Sequence, residues 1–345
     1  MASWSSYSSH IRSNILNMKS VSISFSQKDS KKLNILGLRA TYGLTLFKLK
    51  KSNDLITVFT ADTSTSAGLD RFRNAYPDSF FDCGIAEQCM ISTAAGYVEE
   101  GGTVLASTFA PFLVLRSAEQ LRLTLGYMKL PLIVTGLASG ISLGFLGYTH
   151  CCIEDLALIF NIPNIFTYIP SDCFELNKVL PHLIDLKKPT YIRLTGLAKN
   201  KPVHDKDFEI DFYSPLEIFS GGNDLLVISS GAISSNAKFV IENLSEEYKR
   251  KLSFIVLPFI DQEKTQEILS KKLSKYRNIL VLDEGTYGGV ASFISKIILE
   301  KNISIKFHYK VHPDYFLKCG DYQYMLSQCG LDCKNIESTI KKILN

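Results

Sequence analysis

A carboxylate set among small and apolar residues is the first place in this sequence where chemistry could be built. Glu87 stands in the stretch Phe81-Asp82-Cys83-Gly84-Ile85-Ala86-Glu87-Gln88-Cys89-Met90. A water-poor site raises the pKa of a carboxyl and makes it useful as an acid or base near neutral pH. The competing role is structural: an acid in the first turn of a helix complements the helix dipole by about 0.3–1 kcal/mol. Further along, His150 closes the turn Gly147-Tyr148-Thr149-His150, and an imidazole titrating near neutrality is suited to proton traffic. Arg193, in Thr190-Tyr191-Ile192-Arg193-Leu194, offers a guanidinium fork that fits an anion or, failing that, a surface ion pair. Asp62 and Ser66 share the polar loop that runs from Thr60 to Ser66, and Phe109 and Phe112 offer flat apolar faces that serve equally as core or as a stacking surface.

These side chains need a scaffold, and the pattern around them supplies one. Met90, Ile91, Ala94 and Ala95 recur at helical spacing after Gly84, which makes Gly84 the turn into a helix and places Glu87 in its first turn. The stretch Leu36 to Lys50 reads as another helix, and Leu55-Ile56-Thr57-Val58-Phe59 as a strand whose carboxyl end carries the Asp62 to Ser66 loop. Open α/β sheets bind ligands at such strand ends. Val104 to Ser107, Leu132 to Thr135, Ile165 to Ile169 and Thr190 to Leu194 are further strands, with a helix opened by Phe109 and Phe112 and another capped at Pro170-Ser171-Asp172. A charge-mixed stretch with Pro202 and Pro215 reads as a linker, after which Leu225 to Ser229, Phe254 to Leu257 and Ile279 to Leu282 alternate with helices. The expected fold class is α/β, with two doubly wound, mostly parallel-sheet domains: a poorly ordered leader at 1–34, a first domain at 35–198, a linker at 199–221 and a second domain at 222–345.

Composition excludes several classes of function. The 345 residues are 46% hydrophobic and carry a net charge of +4, from 38 Lys and Arg against 34 Asp and Glu, too balanced for a nucleic-acid binder. The eight cysteines are scattered, and the adjacent Cys151 and Cys152 cannot staple distant segments, so reduced thiols and a cytoplasmic location are expected. Their spacings also lack the company of a zinc site. The uncharged run from Leu130 to Gly147 has the length of a minimal membrane span, but its four glycines and proline suit a buried strand entering a glycine-rich loop. No membrane partner is expected, and the Ser-rich start lacks the apolar core of an export signal.

Taken in order, the Glu87 helix, Ser107-Thr108-Phe109-Ala110-Pro111-Phe112, Gly147-Tyr148-Thr149-His150 followed by Glu154-Asp155, Ile169-Pro170-Ser171-Asp172 and Tyr191-Ile192-Arg193 resemble the pyrimidine-binding domain of transketolases and their relatives. The resemblance extends over about residues 35 to 343, the last part being similar to the transketolase C-terminal domain. It implies thiamine diphosphate as cofactor, with Glu87 hydrogen-bonded to N1′ of the aminopyrimidine, Phe109 and Phe112 flanking that ring and Asp62 near the cofactor. It further implies that His150 acts on substrate hydroxyls and that Ser66 and Arg193 hold a substrate phosphate. Two positions depart from the family pattern: Leu146 stands where an aspartate reads a donor hydroxyl, and Ala138 where a histidine helps hold the sugar phosphate. A less hydroxylated or otherwise specialised sugar-type substrate follows from those losses.

The G-D-G segment of the family's diphosphate-binding domain does not occur in this sequence. The resemblance therefore implies the C-terminal subunit of a split transketolase, transferring a two-carbon ketol unit. A separate N-terminal subunit would bind Mg²⁺ and the diphosphate, and the pair would assemble as α2β2. The alternatives are the β-type subunit of a 2-oxo-acid decarboxylating enzyme, a deoxyxylulose-phosphate-synthase-like enzyme, and a non-catalytic regulatory paralogue. Against the synthase, the arginines that family uses near the aromatic motif and the glycine loop are Phe112 and Ser139 here.

Overall fold

Strands buried on both faces favour apolar, β-branched and small residues, and four central stretches combine these with buried Thr and Ser. They are β1 (Ile56–Thr60), β3 (Thr103–Phe109), β4 (Ile133–Ser139) and β6 (Thr190–Thr195). With the shorter β2 (Phe80–Asp82) and β5 (Phe166–Tyr168) they form the first sheet of the computed structural model, which describes residues 33–204 and 207–345. A second sheet gathers β7 (Leu216–Ser220), β8 (Leu225–Ser229), β9 (Leu252–Val256), β11 (Asn278–Leu282) and β12 (Lys306–Lys310).

The first sheet has the order β10-β5-β6-β4-β3-β1-β2, and every pairing in it is parallel except that of β10 (Phe259–Ile260) with β5. The chain steps outward from β1 to β2, then returns to the other side of β1 with β3. The order therefore reverses between β1 and β3, and the crevice at such a reversal is where open α/β sheets hold ligands. The second sheet runs β12-β11-β8-β9-β7, with only β7 antiparallel. Both sheets are flanked by helices, so the fold is the α/β arrangement of two mostly parallel sheets.

The two units are less separate than the sequence suggests. β10 follows β9 of the second sheet yet adds an edge strand to the first, and one core cluster joins Phe59, Met90 and Leu113 to Leu226, Ile255 and Ile294. The expected linker at 199–221 is also structured. It contains β7, and its Phe208, Ile210 and Phe212 pack on the first core. His204 is buried against Glu175, with Nε2 2.9 Å from Oε2. Its prolines and charges made it read as a spacer, but its alternate apolar residues cover a sheet edge. The leader expected at 1–34 lies outside the described residues except for its last two. Leu33 and Asn34 are buried, and Asn34 Oδ1 accepts from the Cys173 backbone N–H at 3.0 Å, so both belong to the packed first unit.

Candidate active site

Gly84 adopts φ +64°, the left-handed turn that a residue without Cβ takes cheaply, and the helix Glu87–Glu99 begins three residues later. Met90, Ile91, Ala94 and Ala95 bury one face of this helix in the shared core, which fixes its axis and presents Glu87 at its start. Glu87 is only 2% exposed. Its Oε2 accepts a hydrogen bond from Arg116 Nη1 at 2.6 Å. A surface acid placed for the dipole alone would stand in water; this one is enclosed and paired with a cation.

Arg116 leads to the aromatic residues. After β3 ends at Phe109, a wide π-helical turn spans Pro111–Arg116 and puts Phe112 and Arg116 on one face. The Arg116 guanidinium lies 4.5 Å from the Phe112 ring centroid. Phe112 and Phe109 meet edge to face at 6.1 Å, and each meets the His150 ring, at 5.6 and 5.8 Å. The helix expected after Phe109 and Phe112 is broken into this wide turn, a short α-helix at Ala118–Leu121 and a second wide turn at Arg122–Tyr127; Leu113 and Leu121 are buried, while Leu115 and Leu123 are exposed.

His150 is half-buried and its ring is held by a neighbour. The Thr149 hydroxyl lies 3.2 Å from the Leu146 carbonyl and 2.9 Å from His150 Nδ1, a contact that fixes the orientation of the imidazole ring. Leu146 is half-exposed, and Ala138 is buried with φ +53° at an irregularity in the β4–β6 pairing between Gly136 and Ser139. Bulges and left-handed residues of this kind gather at sites where a strand end is re-aimed.

Asp62 is exposed and also left-handed, at φ +53°. Asp82 Oδ1 holds it there, accepting from the Asp62 backbone N–H at 2.8 Å and from that of Gly84 at 3.0 Å. One carboxylate thus ties the loop after β1 to the entry of the Glu87 helix. Ser66 lies apart from this cluster, in a cavity of about 190 Å³ lined also by Arg39, Gly37, Gly196 and Ala198. Helix Leu38–Lys50 brings Arg39 there because Gly43, one turn on, lets the loop lie against it: a Cβ at Gly43 would stand 2.0 Å from the Gly68 carbonyl oxygen. Arg39 Nη1 reaches the Ser66 carbonyl at 3.2 Å.

Arg193 does not fit the role of phosphate ligand. Its side chain is fully buried, with Nε 2.8 Å from Asp155 Oδ2 and Nη1 2.7 Å from Asp283 Oδ1. Burial opposes its charge, but the two carboxylates outweigh that and hold its pKa well above the usual arginine value. A strand-end arginine looks alike in sequence whether it faces a crevice or a seam; the second unit, packing over β6, decides for the seam. The structure thus brings together Glu87, Phe109, Phe112 and His150, links Asp62 to them through the loop, sets Ser66 in a neighbouring cleft and removes Arg193. Arg116, Asp82 and Arg39 were missed. Arg116 is the first charge after an apolar run and stands four residues beyond Phe112, the one signal that could have found it.

The donor set fits the aminopyrimidine of thiamine diphosphate: a buried carboxylate for a ring nitrogen and flat aromatic faces beside it. Among the described residues no group of three or more His, Cys, Asp or Glu is arranged to hold a metal ion, and no helix is long and apolar enough to cross a membrane.

Residues 36–198 match the transketolase pyrimidine-binding domain family. A transketolase C-terminal section assigned by inference in Methanocaldococcus jannaschii is 29% identical over 305 residues, covering 88% of this chain and 95% of that one. One of the subunits of the apulose-4-phosphate transketolase of Phocaeicola vulgatus is 26% identical over 315 residues, 90% of this chain and 99% of the relative. Among solved structures, a split-gene transketolase determined as an inactive β4 tetramer superposes with a TM-score of 0.77 at 25% identity, covering 90% of this chain and 98% of that one. Residues 36–198 are thus a transketolase-type pyrimidine-binding domain, and the chain as a whole is similar to the C-terminal section of transketolases.

Proposed function

We propose that this chain is the pyrimidine-binding subunit of a split, thiamine-diphosphate-dependent transketolase that moves a two-carbon ketol unit between sugar-type substrates. The observation that carries the proposal is the enclosed Glu87 carboxylate beside the Phe109, Phe112 and His150 cluster, at the sheet's topological switch. When bound, the cofactor supplies carbanion chemistry at its thiazolium C2. Glu87 holds and shares a proton at the pyrimidine N1′, and Phe109 and Phe112 flank the ring. Asp62, held by Asp82, shapes the loop beside the cofactor. His150 moves a proton at a substrate hydroxyl. A substrate phosphate falls to Arg39, which is half-buried and lines the Ser66 cleft, and not to Arg193.

The Mg²⁺ and diphosphate site is assigned to a separate partner subunit, in an α2β2 assembly. Phe145, Leu146, Tyr315 and Phe316 support a partner chain: all four are exposed, and the two segments that carry them meet where Tyr148 packs on Phe316 at 4.5 Å. Leu146 and the buried Ala138 favour a substrate with fewer hydroxyls to read, and a cytoplasmic sugar metabolism of specialised kind is the setting this suits.

The test is co-expression with a chain that carries the diphosphate-binding domain, followed by assay with Mg²⁺ and thiamine diphosphate. Ketol transfer from a ketose phosphate to an aldose acceptor by the complex, and by neither chain alone, is the expected result. CO₂ release from pyruvate or another 2-oxo acid without ketol transfer would replace the transketolase reading with a decarboxylating one. A stable complex inert with every donor would favour a regulatory paralogue.

A further inference from the structure

The guanidinium of Arg116 makes two contacts at once. It donates to the Glu87 carboxylate at 2.6 Å, and its plane lies 4.5 Å from the centroid of the Phe112 ring. Glu87 is 2% exposed while the Arg116 side chain is 45% exposed, so the cation stands between the carboxylate and solvent. The root of that side chain is fixed separately, because the Arg116 backbone carbonyl accepts from Gln88 Nε2 at 3.1 Å. Its side-chain torsions can therefore swing the guanidinium outward without moving the turn that bears it.

A flat group that shares a hydrogen bond with Glu87 and rests against Phe112 is also a description of the bound aminopyrimidine under the reading above, on which this inference rests; the proton between the carboxyl and N1′ is then one taken up from solvent, since the neutral ring nitrogen only accepts. We propose that Arg116 is a displaceable occupant of the pyrimidine pocket: its guanidinium satisfies Glu87 and Phe112 in the free chain, and the aminopyrimidine enters by taking over both contacts. A buried carboxylate left without a partner is strongly unfavourable, so the free chain needs such a stand-in. The ligand must supply in one plane what the guanidinium supplied, a ring nitrogen able to share a proton with a carboxylate and an aromatic face. Apparent affinity is the intrinsic affinity multiplied by the fraction of molecules in which the arginine is unseated.

The probe is the cofactor's aminopyrimidine fragment, 4-amino-5-hydroxymethyl-2-methylpyrimidine, titrated calorimetrically into the full chain, its Arg116→Ala and Arg116→Gln variants and the Glu87→Ala/Arg116→Ala double variant. Both single variants are expected to bind at least about tenfold more tightly than the wild type, and the double variant to lose that gain. In the wild type, the ¹⁵N guanidinium resonances of Arg116 should shift from a bonded to a freely solvated signature on saturation. Equal or weaker binding in both single variants, with the wild type binding, overturns the displacement and leaves the pyrimidine site standing. A gain that survives in the double variant overturns it too, since it would not come from freeing Glu87. Binding to no folded variant, the wild type included, refutes the pyrimidine-site reading and the displacement with it.

Discussion

At the scale of single residues, two buried charges carry opposite lessons. Glu87 is enclosed but stands at the mouth of an aromatic cluster, with a half-exposed arginine as its partner. Glu87→Gln keeps the shape and much of the hydrogen bonding but cannot share a proton. Proton exchange at the cofactor's C2, followed by NMR in the assembled enzyme, should slow by roughly 10²–10⁴-fold. Exchange at the wild-type rate in a folded complex would remove Glu87 from the mechanism. Arg193 is sealed between Asp155 and Asp283, and its Nη2 and Asp283 Oδ2 have no partner among the described residues. Arg193→Met should strand two buried carboxylates and lower stability by about 3–5 kcal/mol. The drop is read from urea midpoints, and a loss below about 1 kcal/mol would contradict the role of Arg193 as an interdomain tie.

Among elements, the decisive feature is how the loop after β1 and the helix Glu87–Glu99 are held in register. Asp82, the last residue of β2, accepts from a backbone N–H on each side, and Asp62 is kept left-handed by one of these bonds. Asp82→Ala should cost about 1 kcal/mol of stability, since both bonds lie at an exposed site. Its larger effect should fall on cofactor affinity in the assembled enzyme, because the loop and the helix start would no longer move together. Thermal melts beside thiamine diphosphate titrations separate the two, and an unchanged affinity in the variant would reduce Asp82 to a turn residue.

For the molecule as a whole, the seam between the two units has a pH dependence of its own. Burial raises the Glu284 carboxyl to about 7, although the Tyr322 hydroxyl that donates to its Oε1 at 2.8 Å and the Arg193 charge pull the other way. Between its ordinary value of 4.5 and about 7, the folded chain holds a proton that the unfolded chain has released. Stability should therefore be full at the acid end of that window and fall by on the order of 3 kcal/mol as pH rises through it. His204 adds a slope of the same sign. Burial lowers its pKa, but the hydrogen bond and charge of Glu175 outweigh that and raise it, so its contribution is lost as pH climbs past the raised value. Glu284→Gln should flatten the fall between pH 5 and 7 in urea titrations, and an unchanged slope would show that Glu284 is ionised in the folded state.

The sequence alone determined what depends on neighbours along the chain. Apolar, β-branched runs located the strands because a strand buried on both faces is rich in such residues, and helical spacing after Gly84 placed Glu87 at a helix start. Phe109, Phe112 and His150 were legible as an ordered set, and the structure does bring them into one cluster. What only the tertiary structure decided were questions of which side chain faces which. Arg193 was turned into a seam by a unit packed over its strand, and Arg116 was delivered to Glu87 by a turn 29 positions away. The edge strand β10 and the packed segment at 199–221 likewise depend on a sheet edge that no local pattern announces. Periodicity records which face of an element is buried; burial against a distant element, and the charges met there, is settled only when the chain has closed on itself.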